Sequence, residues 1–564
     1  MRSDIIRIYK AVHTWTGIIT GMALFIAFYA GALTVFQEPI ARWASPPAEG
    51  RAVPLQDAQA LIVGTLQAHP EAARDFTIHL REAEHLPARM SWRVREQGAD
   101  DHDETSARHY VASLDAGAGV KVEEARPSQL SKFIDVLHRV VGLPVDSDPN
   151  RWIMGVVAAL YTLALVSGVI VLLPSLVKDF FALRVGRNLK RMWLDAHNVV
   201  GIVSLPFHLV MALTAVVFAF HDGIYYLQDK MFHEGRLAGN FQGGRSAAAP
   251  PSSLSPPDPA TMLPPAELVA RAQAVSPDFE PETLQYQNVI GPRAAVRVWG
   301  KDAAALSPRA LGGFVAIDPY SGRVLSTDYL PGRQDGAHTT VSSFFALHMA
   351  AFGGTPVQWM YFVLGLAGVW LFYSGNLLWV ESRRRKAARG ETGIPAQRRD
   401  VRLMASATVG VCLGCICGIS LTIAAGKWLH GHVEDVNAWH RYIYYAVFFC
   451  SIAWAFARGA AVASVHLLQA AAACTLAIPL TTLLAWSVPS LGMWAHGSAA
   501  ALGVDATALG GAFCFAWMAR ATARRVRSGP RDSVWSAHAQ GPAVAPVADG
   551  AASPGRAGVE SGPV

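Results

Sequence analysis

Eight stretches of the chain are rich in apolar residues and nearly free of charge: 12–36, 151–174, 198–220, 355–380, 403–424, 438–457, 463–486 and 499–519. An α-helix rises 1.5 Å per residue, so about 20 such residues cross ~30 Å of hydrocarbon. Lipid offers the backbone no water to bond, so each stretch must satisfy its own N–H and C=O groups as a helix. The average composition agrees, with 52% hydrophobic and 16% charged residues, where a soluble protein carries about a quarter charged. The sequence therefore predicts a membrane α-helical protein with eight transmembrane helices. All six cysteines (Cys412, Cys415, Cys417, Cys450, Cys474 and Cys514) fall in the last four stretches. The long intervening segments are thus free of disulfides, and the Cys-x-x-Cys-x-Cys run at 412–417 is expected to serve packing.

Charge sets the orientation. With the N-terminus in the cytoplasm, the cytoplasmic segments hold Arg2, Arg7 and Lys10, then Lys178, Arg184, Arg187, Lys190 and Arg191, then the basic linker 381–402, Arg458, and the cluster Arg520 to Arg527. The two short outside loops hold Lys427 alone. This asymmetry follows the positive-inside rule and predicts a multi-pass membrane protein with both termini cytoplasmic. The net charge of +6 is then an orientation signal and points to no nucleic-acid partner. The first apolar run is about twice the length of a signal-peptide core, so residues 1–36 are read as a retained transmembrane helix. Segments 37–150 and 221–354 fall in the periplasm, and helices 5–8 occupy 403–520. Residues 245–260 read as a flexible loop, and the Gly-, Pro- and Ala-rich 521–564 as a disordered cytoplasmic tail.

The first 380 residues contain one unit twice. "KAVHTWTGI" with His13 matches "LDAHNVVGI" with His197, both reading His-x-x-x-Gly-Ile. "HYVASLDAGAGVKV" (109–122) matches "GFVAIDPYSGRVL" (313–325), each a strand, an Asp-containing turn with glycine and a second strand. "FIDVLHRVVGLP" with His138 matches "FFALHMAAFGGTP" with His348, and each precedes a span, 151–174 or 355–380. Helical patterns, "LQDAQALIVGTLQA" and "PPAELVARAQAV", precede the strands in both copies. The expected architecture is an internally repeated four-helix core with two periplasmic α+β domains, plus four extra helices. Repeats of this kind often build a shared site between their halves.

The histidines follow the repeat. His13 and His197 lie at the cytoplasmic ends of spans 1 and 3, and His138 and His348 just before spans 2 and 4. Two imidazoles facing each other across a helix bundle suit a bis-histidine haem b, which would be non-covalent because no C-x-x-C-H occurs. The spacing alone does not separate haem from another metal. His208 lies eleven residues after His197, a spacing that on a straight helix puts both on one face about 16 Å apart. Its counterpart in span 1 is Leu24, so it can replace a member of either pair or serve a polar relay. Intramembrane histidines are more often functional than interfacial ones.

Taken in order, "HTWTGI", "VLHRVVGLP", "LDAHNVVGI", "FALHMAAFGG" and "AIDPYSGRVL" resemble the PepSY-associated transmembrane family, whose PepSY domain ending the last motif matches through Asp318, Gly322 and Val324. The resemblance covers about 380 of 564 residues; spans 5–8 lie outside it, and "LDAGAGVKV" lacks the usual Ser- or Thr-Gly turn. Family members include iron-regulated inner-membrane ferrisiderophore reductases similar to di-haem cytochromes. The resemblance implies two haem b groups, one on His13 and His197 near the cytoplasm and one near the periplasm, for which His138 and His348 match the repeat. It implies electron transfer from a quinone or cytoplasmic reductant to a ferric siderophore or other iron chelate. Outward-facing Arg81, Arg93, Arg95, Arg139, Arg293 and Arg297 either attract an anionic chelate or are ordinary surface charges. No G-x-G-x-x-G fingerprint for a dinucleotide is present. Two other classes fit the pattern: a PepSY ligand-binding or regulatory module without redox activity, and a siderophore or iron transporter. Against transport stands a near absence of ionisable residues in the spans apart from His208.

Overall fold

The computed structural model describes residues 3–47, 53–81, 88–94, 107–114, 119–125, 127–177, 189–232, 257–308, 312–386 and 395–537. The first half runs α1 (Ser3–Thr34), α2 (Gln37–Ala44), α3 (Ala58–Ala68), β1 (Asp75–His79), β2 (Met90–Val94), β3 (Arg108–Leu114), β4 (Val120–Ala125), α4 (Leu130–Arg139) and α5 (Asp148–Leu172). The second repeats this order: α6 (Leu189–Val203), α7 (Leu205–Ala219), α8 (His221–Phe232), α9 (Pro265–Val275), β5 (Glu280–Gln287), β6 (Ala295–Lys301), β7 (Gly313–Ile317), β8 (Val324–Tyr329), α10 (Gly336–Met349) and α11 (Gly354–Ser382). Three more helices follow, α12 (Arg399–Leu429), α13 (Val436–Ser487) and α14 (Ala499–Ser528).

Among the described residues six helices are long and apolar enough to cross a membrane, and the bent pair α6 and α7, taken as one span, makes seven. Span 3 is therefore no straight helix over 198–220. It starts at Leu189 and bends by 67° between Val203 and Leu205, beside Pro206, whose ring removes a helix hydrogen bond. That bend overturns the straight-helix placing of His208. The 52-residue α13 covers the two spans expected at 438–457 and 463–486, and it is broken at Gly459 (φ 74°, ψ 156°), a backbone state open to glycine.

The two α+β regions do not stand as separate domains. Their strands form one eight-stranded antiparallel sheet, ordered β4-β3-β2-β1-β5-β6-β7-β8. The junction is the β1–β5 pair, in which Phe76 lies opposite Tyr286 and Ile78 opposite Leu284. The Phe76 and Tyr286 rings stack at 4.5 Å, at the centre of a core that α3 and α9 close from one face. At the β7–β8 turn the Asp318 carboxylate accepts from the Tyr320 and Ser321 N–H groups, and Gly322 takes φ +70°.

In the helical region α1 packs on α5 and α11, α7 on α5, and α6 on α11. This closes a four-helix ring with α1 diagonal to α6 and α7. α12 packs on α1 and α11 outside the ring. Gly410, Gly414 and Gly418 of α12 meet α13 so closely that a Cβ would stand 2.8–2.9 Å from Ile452, Ser451 and Tyr444, the small-residue packing of membrane helices. Cys412, Cys415 and Cys417 are buried in the same core. The chain past 520 is more ordered than expected: α14 runs to Ser528, and Val534, Trp535 and Ser536 are buried. There Asp532 pairs with Arg384 of the basic linker. The remainder of the expected tail, 538–564, and most of the 245–260 loop lie outside the described residues.

Candidate functional site

The core places the repeat histidines at two levels. α4 and α10 leave the sheet and enter spans α5 and α11, so His138 and His348 sit at the sheet end of the bundle. His13 on α1 and His197 on α6 sit toward the far end, on diagonal helices. The His138 and His348 rings meet with centroids 5.9 Å apart and planes inclined by 34°. His197 lies within electrostatic reach of both His13 and His208.

Each of the four is held by Nδ1. His13 Nδ1 donates to the Ala164 carbonyl and His138 Nδ1 to the Ala27 carbonyl, both at 2.8 Å. His197 Nδ1 meets Ser374 Oγ at 2.9 Å, and His348 Nδ1 meets Thr214 Oγ1 at 2.7 Å. Both hydroxyls spend their own proton on carbonyls of their helix, Ser374 on Leu371 and Thr214 on Val210, so each accepts from the imidazole. All four rings therefore carry a proton on Nδ1, which in the neutral ring leaves the lone pair on Nε2, the form that binds a metal ion. Burial, then the neighbouring His138, pushes the His348 pKa down to about 3; burial also lowers that of His138. Burial thus favours the neutral form of both rings.

Glycines make room for these rings. A Cβ at Gly31 would stand 2.7 Å from His138 Nδ1, one at Gly168 2.9 Å from His13, and one at Gly375 3.7 Å from His197. The sequence carried a signal for this that the repeat comparison missed: Ser167-Gly168 and Ser374-Gly375 occupy matching places in α5 and α11.

His208 stands apart from both pairs. Its Nδ1 shares a 2.6 Å hydrogen bond with the Tyr161 hydroxyl, and its Nε2 is buried without a partner. Phe28, Phe207 and Phe372 surround the ring, which places it along the bundle between the two pairs. Among the described residues no group of three or more His, Cys, Asp or Glu side chains is gathered to hold a metal ion.

Of the arginines considered for chelate capture, Arg81 pairs with Glu280 and Arg139 with Asp135 and Asp146. Arg297 lies over the Phe314 ring, and Arg95 is outside the described residues. The expectation of spans without ionisable groups fails at α12 and α14. Lys427, expected in an outside loop, ends α12 at 2% exposure, its Nζ 3.7 Å above the Trp43 ring and without a hydrogen bond. Asp505 on α14 accepts from Trp43 Nε1 and Thr482 Oγ1 at 2.9 and 3.0 Å. Asp505 was readable as the one carboxylate within the 499–519 stretch.

A sheet carried on a histidine-bearing helical core with several apolar helices defines a multi-pass membrane protein, with the lipid bilayer as its surroundings. A family model described as the PepSY-associated TM region matches residues 11–382, ending where α11 ends, and the chain belongs to that family. No curated protein matches the chain.

Proposed function

We propose that the chain is a haem b electron-transfer protein of the bacterial inner membrane, which reduces ferric chelates, ferrisiderophores among them, on the side of its sheet. In this reading the two arms of α13 cross separately, making eight spans, and both termini are cytoplasmic. The observation that carries the proposal is the common state of four histidines at matched places, each anchored through Nδ1 with Nε2 left to bind iron. Two imidazoles that held one metal ion through Nε2, with metal–nitrogen bonds of about 2 Å, would have ring centres no more than about 6 Å apart. The 5.9 Å between His138 and His348 fits that requirement. His138 and His348 would hold one haem, and His13 and His197 the other.

Haem iron supplies the one-electron chemistry when bound. The chain's own residues orient and shield. The Ala27 and Ala164 carbonyls, Ser374 and Thr214 fix the tautomer and rotation of each ligand. Gly31 and Gly168 let two of the rings lie flat on a neighbouring helix. Phe28, Phe207 and Phe372 exclude water between the two levels, and His208 stays with Tyr161 rather than joining a pair. With no dinucleotide fingerprint, the electron comes from the quinone pool or a cytoplasmic reductant. The test is a reduced-minus-oxidised visible spectrum of the purified protein with haem quantification. About two haems per chain are expected; a protein that stays colourless after haem-supplemented expression overturns the proposal.

A further inference from the structure

A groove of about 420 Å³ opens at the sheet end of the helical region, lined by Pro144 and Val145 of the α4–α5 link and by Arg441, Tyr442 and Tyr445 of α13. Hydrogen bonds fix both walls. The Asn437 side chain accepts from the Gln129 N–H and donates to the Pro127 carbonyl. The Tyr445 hydroxyl donates to the Gly142 carbonyl at 3.0 Å. Asp146, beside Val145, is held by Arg139 and Arg151. Arg441 is left over: among the described residues its guanidinium makes no hydrogen bond and no ion pair. Trp439 and Tyr442 are exposed, as are Val145 and Phe449. Trp439, Tyr442, Tyr445 and Phe449 follow one side of α13 at spacings of three and four residues. The Tyr445 and Phe449 rings stack at 6.1 Å. From Trp439 to Phe449 is about 15 Å along the helix, half of the ~30 Å hydrocarbon.

Tryptophan and tyrosine gather at the membrane–water interface, so an unpaired arginine among them is placed for a ligand that the bilayer itself supplies. Its planar fork matches the two free oxygens of a phosphate diester. The aromatic stripe below it is as deep as the apolar half of one leaflet, the reach of an acyl chain attached to that phosphate. A quinone head would offer the guanidinium no charge to neutralise. We infer that the groove is a specific site for one anionic phospholipid, with its phosphate on Arg441 and one acyl chain along Tyr445 and Phe449. The lipid joins the α4–α5 link of the family core to α13 of the additional bundle, filling a gap that the protein leaves open. The site stands whether or not the histidine pairs carry haem.

The test is native mass spectrometry of the full chain, delipidated in detergent, with phosphatidylglycerol or phosphatidylcholine added. Wild type should retain one phosphatidylglycerol about tenfold more tightly than phosphatidylcholine. Arg441→Gln should lose that preference, and Phe449→Ala should weaken both lipids while keeping it. In thermal melts without lipid, Arg441→Gln should match wild type, because no partner is lost. Phosphatidylglycerol should then raise the Tm of wild type and not that of Arg441→Gln. Inorganic phosphate and decylubiquinone should each fail to displace the lipid. Equal retention of the two lipids by wild type, a preference that survives Arg441→Gln, or displacement by either competitor overturns the site. So does a lower lipid-free Tm for Arg441→Gln, which marks a structural role, and unchanged retention in Phe449→Ala removes the acyl chain from the stripe.

Discussion

The four-helix core and the α12–α14 bundle treat buried ionisable side chains in opposite ways. In the core each repeat histidine has a defined acceptor for Nδ1, and the acceptor's own proton is accounted for. In the bundle, His440 and Lys427 are buried with no hydrogen bond at any side-chain nitrogen. The same residue type thus sits in two settings. A histidine fixed on one nitrogen leaves the other as its one open atom; one bonded on neither leaves both open.

That contrast breaks first at the histidines themselves. His348→Ala should remove about one of two haems, read by pyridine haemochrome assay, whereas His440→Ala should leave haem content at the wild-type level. Loss of haem from both variants alike would erase the distinction. Next comes the space around a ring. Gly168→Ala puts a methyl group 2.9 Å from His13 and should lower occupancy of the far-end site, seen as a reduced absorbance of one haem component. Gly17→Ala, with nothing within 4 Å of the new Cβ, should keep both components and stabilise α1 by up to about 1 kcal/mol in thermal melts. Ser374→Ala removes only the acceptor that orients His197. Loss of such an outer partner typically weakens metal affinity by roughly 10–100-fold, which haem titration of apoprotein would register. The smallest effect falls outside both bundles. Arg81→Ala breaks an exposed ion pair across the β1–β5 junction and should cost about 0–1 kcal/mol, less at high salt, by denaturant unfolding.

The sequence disclosed some of this and withheld the rest for physical reasons. Apolar runs revealed the helices because lipid leaves the backbone no other option. The matching motif order pointed to His138 and His348 as partners, and their rings do lie 5.9 Å apart. Strand alternation in "DFTIH" and "EPETLQYQ" shows which side chains face inward but carries no mark of the strand alongside, so the union of β1 with β5 was not legible. The helical period assumes a straight axis, and Pro206 flags a bend without giving the 67° that relocates His208. Of the Nδ1 acceptors, Ser374 was legible in the second of the two Ser-Gly pairs. Ala27 and Ala164 contribute only backbone carbonyls, which leave no trace in residue identity. Residues 529–537 look like the start of a disordered tail, yet Val534 and Trp535 are buried.

The shared sheet makes each copy of the repeat an incomplete object. Cut from its partner, either copy would expose β1 or β5 as a bare edge, with unpaired N–H and C=O groups on a strand that carries Phe76 or Tyr286. Such edges recruit other strands indiscriminately. The two copies are thus bound to one another as a lock is to its own key, and a half-length chain should be a hazard to the cell rather than a smaller working version.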